Sequence, residues 1–489
     1  MITRRSAIQA LTGAAAAPGI LKARRTPGDK PNLLFLWTDQ QRADTMAAYG
    51  NTRFHVPNMN RLASESVVFE RAYIAQPVCT PSRSCMMTGT WPHTNGCIHN
   101  NIRLSAEAKT LPEILNDSHY RTGYFGKWHL GDEVFAQRGF EEWAAIEDGI
   151  YQQYYSAGRD PNARSAYHHF LIRQGYTPDT KNGFSRRIVT KLPVEHSKPS
   201  FLAQEASSFI MKHRAEPWML YVNFLEPHTP FGSALDMLHT EEEARLPDNF
   251  EKTPENEPEW YIEKRKGFHR AKTDGFDMTQ RKGWQEASRN YAGLCSLVDQ
   301  ALGRILWTLE ASGMAENTIV VYTSDHGEMM GSHGLLTKQV MYQEATHVPY
   351  LIRAPFRKQK PMRVARPVSH IDTVPTMLEL LGRKDAIGQQ GESLVGAITG
   401  QRRESDVIIE WNREGPDQGP SARTVVTPDG WKLVQHDTDK ALLFHLAKDP
   451  LELKNLYGKP EVAAKQKELR GKITAFQKKT NDKLQLPGA

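Results

Sequence analysis

The sequence predicts an α/β fold: a large mixed, mostly parallel sheet flanked by helices, followed by a small C-terminal subdomain of antiparallel strands and one helix. Short, nearly continuous apolar runs predict strands that are buried on both faces. Segments with helical spacing separate these runs, and that alternation is typical of a parallel sheet. After residue 400 the pattern changes to several strand-like runs and a terminal helix. The four apolar runs are residues 32–38, a run that ends at residue 126, and residues 218–224 and 318–323.

The composition limits the class of protein. A chain of 489 residues can form one large domain with an appendage, or two or three ordinary domains. A hydrophobic content of 39% and a charged content of 24% are typical of soluble globular proteins. The net charge of +6 is not concentrated in a basic stripe, so we expect no nucleic-acid binding. Four cysteines in a chain of this length predict neither a disulfide framework nor a Cys-x-x-Cys zinc site.

Residues 1–25 are predicted to be a twin-arginine signal peptide. Arg4 and Arg5 precede a modestly apolar run, residues 10–21, that is too short to span a membrane. The alternative is a frayed basic tail. No other stretch approaches the ~18–20 apolar residues of a membrane span, so we expect no transmembrane segment. Export by this route would place the mature protein in the periplasm or outside the cell.

Polar residues follow two of the predicted strands at the point where each strand ends. The first run leads directly to Asp39 and Gln40, and the fourth leads to Asp325 and His326. Because the active groups of open α/β sheets lie beyond the carboxyl ends of strands, we expect these side chains to meet. Their oxygen and nitrogen atoms predict a metal site, whereas surface side chains are the alternative.

Two further strand ends lead to basic side chains. The second run is followed by Lys127 and His129, which lie two residues apart in a glycine-flanked loop and can both face one anion. The third run leads into a Glu-Pro-His-Thr-Pro stretch that holds His228 between two prolines. The alternative for each is an ordinary solvated loop side chain.

Two long stretches break the alternation of strands and helices. Residues 148–198 are rich in Tyr, Arg and His, and residues 236–284 are charged and poor in apolar side chains. We expect loops or insertions over the sheet edge, where substrate specificity usually resides. The predicted helices are residues 57–65, 291–311 and 372–381.

The C-terminal subdomain is predicted to be residues 401–489. A Pro-Asp-Gly turn at residues 428–430 predicts a hairpin. The predicted strands are residues 407–411, 423–426, 431–434 and 442–446, and the terminal helix is residues 460–478.

The stretch that begins at Cys79 predicts a reactive group. Cys79 stands just before a predicted helix start, Pro81 fits its first turn, and the hydroxyls of Thr80 and Ser82 can satisfy open amides. A helix N-terminus favours an anion, and Arg83 adds a positive fork suited to a tetrahedral oxyanion. These residues predict a sulfur atom aimed at an anionic group. The alternative is that Cys79 is a small buried hydrophobe.

The full stretch, Cys-Thr-Pro-Ser-Arg followed by Thr-Gly at residues 88–89, resembles the signature of type I sulfatases. The Gly-Lys-x-His string around Lys127 is similar to their second signature, and the order of elements is similar to the sulfatase branch of the alkaline phosphatase superfamily. The resemblance implies an alkaline phosphatase-like catalytic domain at residues 30–400. It also implies that a formylglycine-generating enzyme oxidises Cys79 to formylglycine. The implied activity is hydrolysis of a sulfuric ester, with release of inorganic sulfate; a sulfated carbohydrate is the favoured substrate.

The resemblance also implies one divalent cation, most often Ca²⁺ in this family, with Mg²⁺ or Mn²⁺ as alternatives. Gln40 stands where many sulfatases carry Asp, and His326 where many carry Asn, so the charge and the preferred metal of the site can differ. Glu328 and His333 are expected to support the site. The implied ligands are Asp39, Gln40, Cys79, Asp325 and His326.

The resemblance assigns the remaining roles. As formylglycine, residue 79 would attack sulfur and form a sulfate ester that is later released. His228, with Lys338, would protonate the leaving oxygen, and His129 would take the proton that expels sulfate. Charge on the sulfate oxygens would be spread over the metal and the basic side chains. The residues that would bind the substrate are Arg83, Lys127, His228 and Lys338.

Two alternatives stay open. A phosphonate monoester or phosphodiester hydrolase would use the same nucleophile; the Asp-Gln pair favours it and Ser82 argues against it. A non-catalytic exported glycan-binding homologue would leave Cys79 unmodified, but such a protein has no need for the complete set of basic residues. The sequence does not predict the sulfate ester, exo or endo action, or the oligomeric state.

Overall fold

The computed structural model describes residues 30–148, 154–270, 272–357, 359–383, 388–401, 405–415 and 419–487. The predicted signal peptide, residues 1–25, lies outside these ranges. Within them, no helix has both the length and the apolar character that a membrane span requires.

The predicted mixed, mostly parallel sheet is confirmed. In the described residues before 400 the strands are β1 (Asn32–Asp39), β2 (Val67–Tyr73), β3 (Arg121–Gly126), β4 (Glu142–Ala144), β5 (Trp218–Pro227), β6 (Lys272–Thr273), β7 (Phe276–Asp277), β8 (Thr318–Ser324), β9 (His347–Val348), β10 (Tyr350–Arg353) and β11 (Met362–Ser369). The central sheet has the order β11-β2-β10-β8-β1-β5-β3-β4, with β9 against β2, and β6–β7 is a separate hairpin. Antiparallel pairing in the sheet involves β9 and β10, and the other pairs are parallel.

Helices pack on both faces of this sheet. They are α1 (Pro57–Ser64), α2 (Cys79–Thr88), α3 (Pro92–Asn95), α4 (Leu111–Leu115), α5 (Ala166–Arg173), α6 (Arg186–Val189), α7 (Lys198–Lys212), α8 (Glu259–Phe268), α9 (Arg281–Ala311), α10 (Gln343–Thr346), α11 (Thr373–Leu380) and α12 (Val395–Ile398). Leu34 and Leu36 of β1 join a core with α1, α5, α7 and α9, whereas Leu33 and Phe35 join a core with α2, α4, α11 and α12. Burial on both faces explains the continuous apolar run of β1.

The C-terminal subdomain forms as predicted. Its strands are β12 (Val407–Trp411), β13 (Ala422–Val426), β14 (Trp431–His436) and β15 (Leu442–His445), each antiparallel to the next, and its helix is α13 (Ala463–Thr480). Val426 pairs with Lys432 across the predicted turn, which confirms the hairpin. Leu469 and Ile473 of α13 share a core with Leu433 of the sheet.

The structure differs from the prediction in the start of one helix and in one additional strand. Helix α9 begins at Arg281 instead of residue 291. The stretches 148–198 and 236–284, expected to be loops or insertions, contain α5, α6, α8 and the β6–β7 hairpin in their described residues. Helix α8 buries Tyr261 and no other residue, so the sequence shows no apolar stripe there. Strand β11 was not predicted because Pro367 interrupts its pattern, as Pro does on edge strands.

Candidate active site

The carboxyl ends of three neighbouring strands carry the site. Trp37 of β1 pairs with Thr323 of β8 on one side and with Asn223 of β5 on the other. Asp39 and Asp325 therefore leave adjacent parallel strands at the same edge of the sheet, as predicted.

Four buried side chains form one compact cluster at this edge. One potential ligand atom from each of them lies within 4.8 Å of the others. Nε2 of His326 lies 3.5 Å from Oδ1 of Asp39 and 3.6 Å from Oδ1 of Asp325. Nδ1 of the same ring lies 2.9 Å from the carbonyl oxygen of Gly327 and donates to it, which directs Nε2 at the carboxylates. The cluster consists of Asp39, Cys79, Asp325 and His326.

Cys79 is the first residue of α2, a helix whose residues are all buried. Its Sγ lies 3.2 Å from Nε2 of His326 and 3.9 Å from Oδ1 of Asp39. The expected capping by side-chain hydroxyls is wrong. Oγ1 of Thr80 donates to the carbonyl of His129 at 3.0 Å, and Oγ of Ser82 donates to the carbonyl of Asp325. Both hydroxyls thus tie the helix to the loops around it.

Arg83 binds both acids of the cluster. Its Nε lies 2.9 Å from Oδ2 of Asp325, and its Nη2 lies 2.8 Å from Oδ2 of Asp39. Nη1 donates to Oδ1 of Asn223 at 2.7 Å and to the carbonyl of Lys127 at 2.9 Å. Because each of its three nitrogens donates within the protein, Arg83 holds the carboxylates in place rather than facing an open site.

The basic residues around the cluster set its charge state. Nζ of Lys127 lies 2.6 Å from Oδ2 of Asp39. Burial by itself would raise the pKa of Asp39, but the charges of Lys127 and Arg83 hold it well below its usual range. Burial and Asp39 also oppose ionisation of Cys79, yet Lys127, Lys338 and His326 bring the pKa of that thiol down to about 7. The cluster is therefore a charged and buried site.

The side-chain amide of Gln40 is hydrogen-bonded at both its oxygen and its nitrogen. Its Oε1 accepts from Nζ of Lys338 at 2.5 Å, its Nε2 donates to the carboxylate of Glu328, and its backbone N–H donates to Oδ1 of Asp325 at 3.1 Å. These bonds place Lys338 beside the cluster. Through Gln40 they also connect Lys338 to the buried carboxylate of Glu328.

The two remaining predicted histidines are buried or half-buried and electrically neutral. Nε2 of His129 lies 3.0 Å from Oδ1 of Asn101, and burial together with Lys127 and Arg83 lowers its pKa well below 6.5. Nδ1 of His228 donates to the carbonyl of Thr229 at 2.7 Å. Burial, with the charge of Lys338, lowers the pKa of His228 in the same way.

Gly126 brings β3 against β5 immediately before Lys127. It has a φ of +118°, and a Cβ there would lie 1.9 Å from the carbonyl oxygen of Asn223. We expect Gly126→Ala to lower the free energy of unfolding by about 2–3 kcal/mol, as overpacking does, and to reduce turnover by displacing Lys127. Gly50→Ala is the control, since Gly50 has a φ of +98° but no atom within 4 Å of a Cβ. Denaturant unfolding measures both, and equal losses would contradict the clash.

Glu133 supports the loop that carries His129. Its carboxylate accepts the backbone N–H groups of Trp128 at 2.9 Å and His129 at 2.6 Å. Burial outweighs these bonds and raises the pKa of Glu133 from 4.5 to about 7. The folded protein therefore keeps a proton that the unfolded chain releases. The associated stability is present below pH 4.5 and is lost as the pH rises through about 7.

Glu133→Gln is expected to remove this pH dependence. As the pH rises from 4.5 through about 7, the wild-type protein should lose roughly 3 kcal/mol of unfolding free energy relative to the variant. Urea unfolding at both ends of the window measures the difference. Parallel pH profiles for the two proteins would contradict it.

Three residues of the site were not predicted. Asn223, like Asp39, lies near the carboxyl end of a buried strand. An asparagine within a strand does not by itself indicate a functional role, so the sequence did not single it out. Glu133 accepts backbone N–H groups of its own loop, which any residue type offers, and Asn101 contacts His129 from a loop 28 residues away. Short-range patterns do not show such contacts.

The cluster fits a divalent cation. Oδ2 of each aspartate is bonded to Arg83, whereas Oδ1 of each faces Nε2 of His326. The two Oδ1 atoms, one imidazole nitrogen and the side chain at position 79 are thus left directed at a common point. Carboxylate oxygens are the ligands that Ca²⁺ and Mg²⁺ prefer.

Solved structures confirm the architecture. A phosphonate monoester hydrolase of Agrobacterium radiobacter superposes with a TM-score of 0.77 at 22% identity, covering 92% of this chain and 96% of that one. A protein solved with its substrate D-glucosamine-2-N,6-O-disulfate superposes with a TM-score of 0.71 at 23% identity, covering 93% and 99%. These likenesses show that the fold is alkaline phosphatase-like.

Sequence comparisons give the family. The family described as Sulfatase matches residues 31–383, and that described as N-sulphoglucosamine sulphohydrolase, C-terminal, matches residues 331–479. An N-acetylglucosamine-6-O-sulfatase of Bacteroides thetaiotaomicron is 28% identical over 93% of this chain and 87% of its own length. An ulvan-active sulfatase of Formosa agariphila is 29% identical over 91% and 80%. The chain belongs to the sulfatase family, and it is an enzyme of that family.

Proposed function

We propose that this enzyme hydrolyses a sulfate ester of a carbohydrate and that residue 79 acts as formylglycine. One observation carries the proposal: Cys79 begins a buried helix and lies among two carboxylates, an imidazole and the ammonium group of Lys127. Cys85 on the same helix is a buried thiol outside the cluster, and burial raises the pKa of Cys85 well above 9. The surroundings of Cys79 are therefore not those of a merely buried thiol.

The proposed ligands of the cation are Asp39, Asp325, His326, Gln40 and residue 79. When bound, the cation would supply positive charge for a sulfate oxygen, and formylglycine would supply a hydrated aldehyde as the nucleophile. Arg83 has a positioning role in this proposal, because its nitrogens are all bonded to the protein. Lys127 and Lys338 stabilise the charge that develops on the sulfate oxygens.

The proton for the leaving oxygen comes from the pair of His228 and Lys338. Because Nδ1 of His228 donates to a carbonyl, its Nε2 is the nitrogen that can transfer a proton. The lowered pKa keeps the ring neutral, so it must first receive a proton from a neighbour. Lys338 is the cation whose charge acts most strongly on the ring, and it is the natural donor.

His129 is the base in the step that releases sulfate. A pKa well below 6.5 keeps its ring neutral at physiological pH, so it can accept the proton of a hydroxyl at position 79. Its orientation is fixed by the bonds of Asn101 and Glu133.

The names of the relatives support a carbohydrate substrate, since two act on N-acetylglucosamine-6-sulfate and on ulvan. A panel of sulfated mono- and disaccharides, assayed for free sulfate, tests the proposal. Release from one or more members supports it, and no release by protein with modified residue 79 would contradict it. The second candidate, a phosphonate or phosphodiester hydrolase, is favoured by the neutral Gln40, and an aryl phosphonate beside an aryl sulfate distinguishes the two.

We also propose export and maturation as the sequence predicts them. Residues 1–25 would direct twin-arginine export to the periplasm or the medium, and a formylglycine-generating enzyme would modify Cys79 first. The catalytic domain would comprise residues 30–400 and the C-terminal subdomain residues 401–489. Cell fractionation of the native host, with Arg4→Lys/Arg5→Lys as the variant, tests the route; unchanged export of the variant would contradict it.

A further inference from the structure

Glu328 is a fully buried acid that the proposed mechanism does not use. Its Oε1 accepts the backbone N–H groups of Met330 at 2.9 Å and Thr337 at 2.5 Å. Its Oε2 accepts from Nε2 of Gln40. The backbone of its own loop therefore fixes this carboxylate, and the carboxylate in turn meets Gln40.

The side chain of Gln40 has one orientation that satisfies its neighbours. Nε2 faces the carboxylate of Glu328, and Oε1 faces the ammonium group of Lys338 at 2.5 Å. A reversed amide would place an oxygen against a carboxylate and an N–H against an ammonium group. The backbone adds a second constraint, because Gln40 has a φ of +71° and donates its N–H to Oδ1 of Asp325 at 3.1 Å.

We propose that Glu328 is a positioning residue that turns the amide oxygen of Gln40 toward Lys338 and the metal-binding cluster, and that residues 40 and 328 act as one coupled pair. An acid at position 40 would face a second buried acid at hydrogen-bond distance, so an amide is the side chain that suits this position. Gln40 is a neutral side chain, and the negative charge beside it lies on Glu328, one side chain farther from the cluster. The inference rests on the proposed function only for the identity of the metal.

A donor–acceptor exchange tests the pair. Gln40→Glu and Glu328→Gln are made singly and together, and the double variant keeps the net charge while it reverses which side chain donates. Glu344→Gln is the matched control, because Glu344 is an acid close by in the chain whose Oε1 accepts from Asn249 at 2.8 Å instead. The two readouts are Ca²⁺ affinity by calorimetry on metal-free protein and the melting temperature in chelator.

Each single variant is expected to weaken Ca²⁺ binding by about tenfold and to lower the melting temperature, and the double variant should recover both to within about threefold and a few degrees. Glu344→Gln should leave Ca²⁺ affinity within about twofold. Losses that simply add in the double variant would overturn the pair. If Gln40→Glu does not fold, Glu328→Gln alone decides, because unchanged Ca²⁺ affinity would overturn the positioning role.

The coupling of residues 40 and 328 and the hydrolysis of a sulfate ester can hold or fail independently of each other. Coupling measured in chelator does not depend on sulfate hydrolysis, so it can hold in a protein that releases no sulfate. Conversely, an active sulfatase with additive losses at positions 40 and 328 would refute the pair alone.

Discussion

Cys79→Ala is expected to reduce sulfate release by at least about 10³-fold, since it removes the side chain that the proposed function makes into the nucleophile. The loss should be in kcat, with little change in the melting temperature, because the side chain is small and the α2 backbone is held by other contacts. Cys79→Ser should give at most one equivalent of alcohol per enzyme, because a single hydroxyl can form the sulfate ester but has no second hydroxyl to expel sulfate.

Cys85→Ala is the matched control. Cys85 lies on the same helix, is fully buried and has no place in the cluster. The variant should lose some stability through the small cavity but keep turnover within about threefold. Full activity of Cys79→Ala in a single-turnover assay would refute the nucleophile.

Arg83→Met is expected to lower the free energy of unfolding by about 3–5 kcal/mol, because it leaves Asp39 and Asp325 buried without their shared cation. Turnover should fall with it, since both carboxylates lose their orientation. Arg83→Lys should retain only part of the unfolding free energy and of the turnover, because one ammonium group does not reproduce the contacts of three nitrogens. Urea unfolding in chelator and sulfate release measure the two effects.

The stability loss of Arg83→Met has a defined pH dependence. In the wild type, the lowered pKa of Asp39 contributes stability that is present above its ordinary pKa of 3.8 and lost as the pH falls below it. In the variant that carboxylate has lost a counter-ion and takes up a proton more easily. The stability difference between the two proteins should therefore shrink as the pH falls, and a difference that grows would contradict the assignment.

Arg423→Met is the control for this variant. Arg423 is equally buried and pairs with Asp482 at 2.7 and 2.9 Å, but it lies in the C-terminal subdomain. It should lose comparable stability and keep turnover within about threefold below its melting temperature. Equal turnover in the two variants would show that the Arg83 network is structural only.

The sequence predicts most of the cluster because one rule of the fold governs it. Asp39, Asp325 and His326 follow runs that must be buried strands, and parallel strands bring their carboxyl ends together. Cys79 and Lys127 come from signature motifs, where the chemistry leaves a pattern in consecutive residues.

The sequence does not predict how these residues are held. The sequence predicts that Arg83 binds an oxyanion, yet its nitrogens donate hydrogen bonds to the two aspartates and to Asn223. Glu133 was missed because it accepts backbone N–H groups, which leave no trace in residue type; Glu328 was expected to support the site, but its backbone partners were not. Helix α8 was missed for a related reason, since it buries only Tyr261 and is held by bonds to distant loops, such as that from Nε of Arg265 to the carbonyl of His333 at 2.6 Å.

Peptide mass spectrometry of the protein purified from its native host, together with sulfate release by the same sample, decides whether residue 79 acts as formylglycine. We expect the mass change of cysteine to formylglycine at Cys79 and sulfate release in proportion to the modified fraction. An active protein whose Cys79 is an unmodified thiol would contradict it.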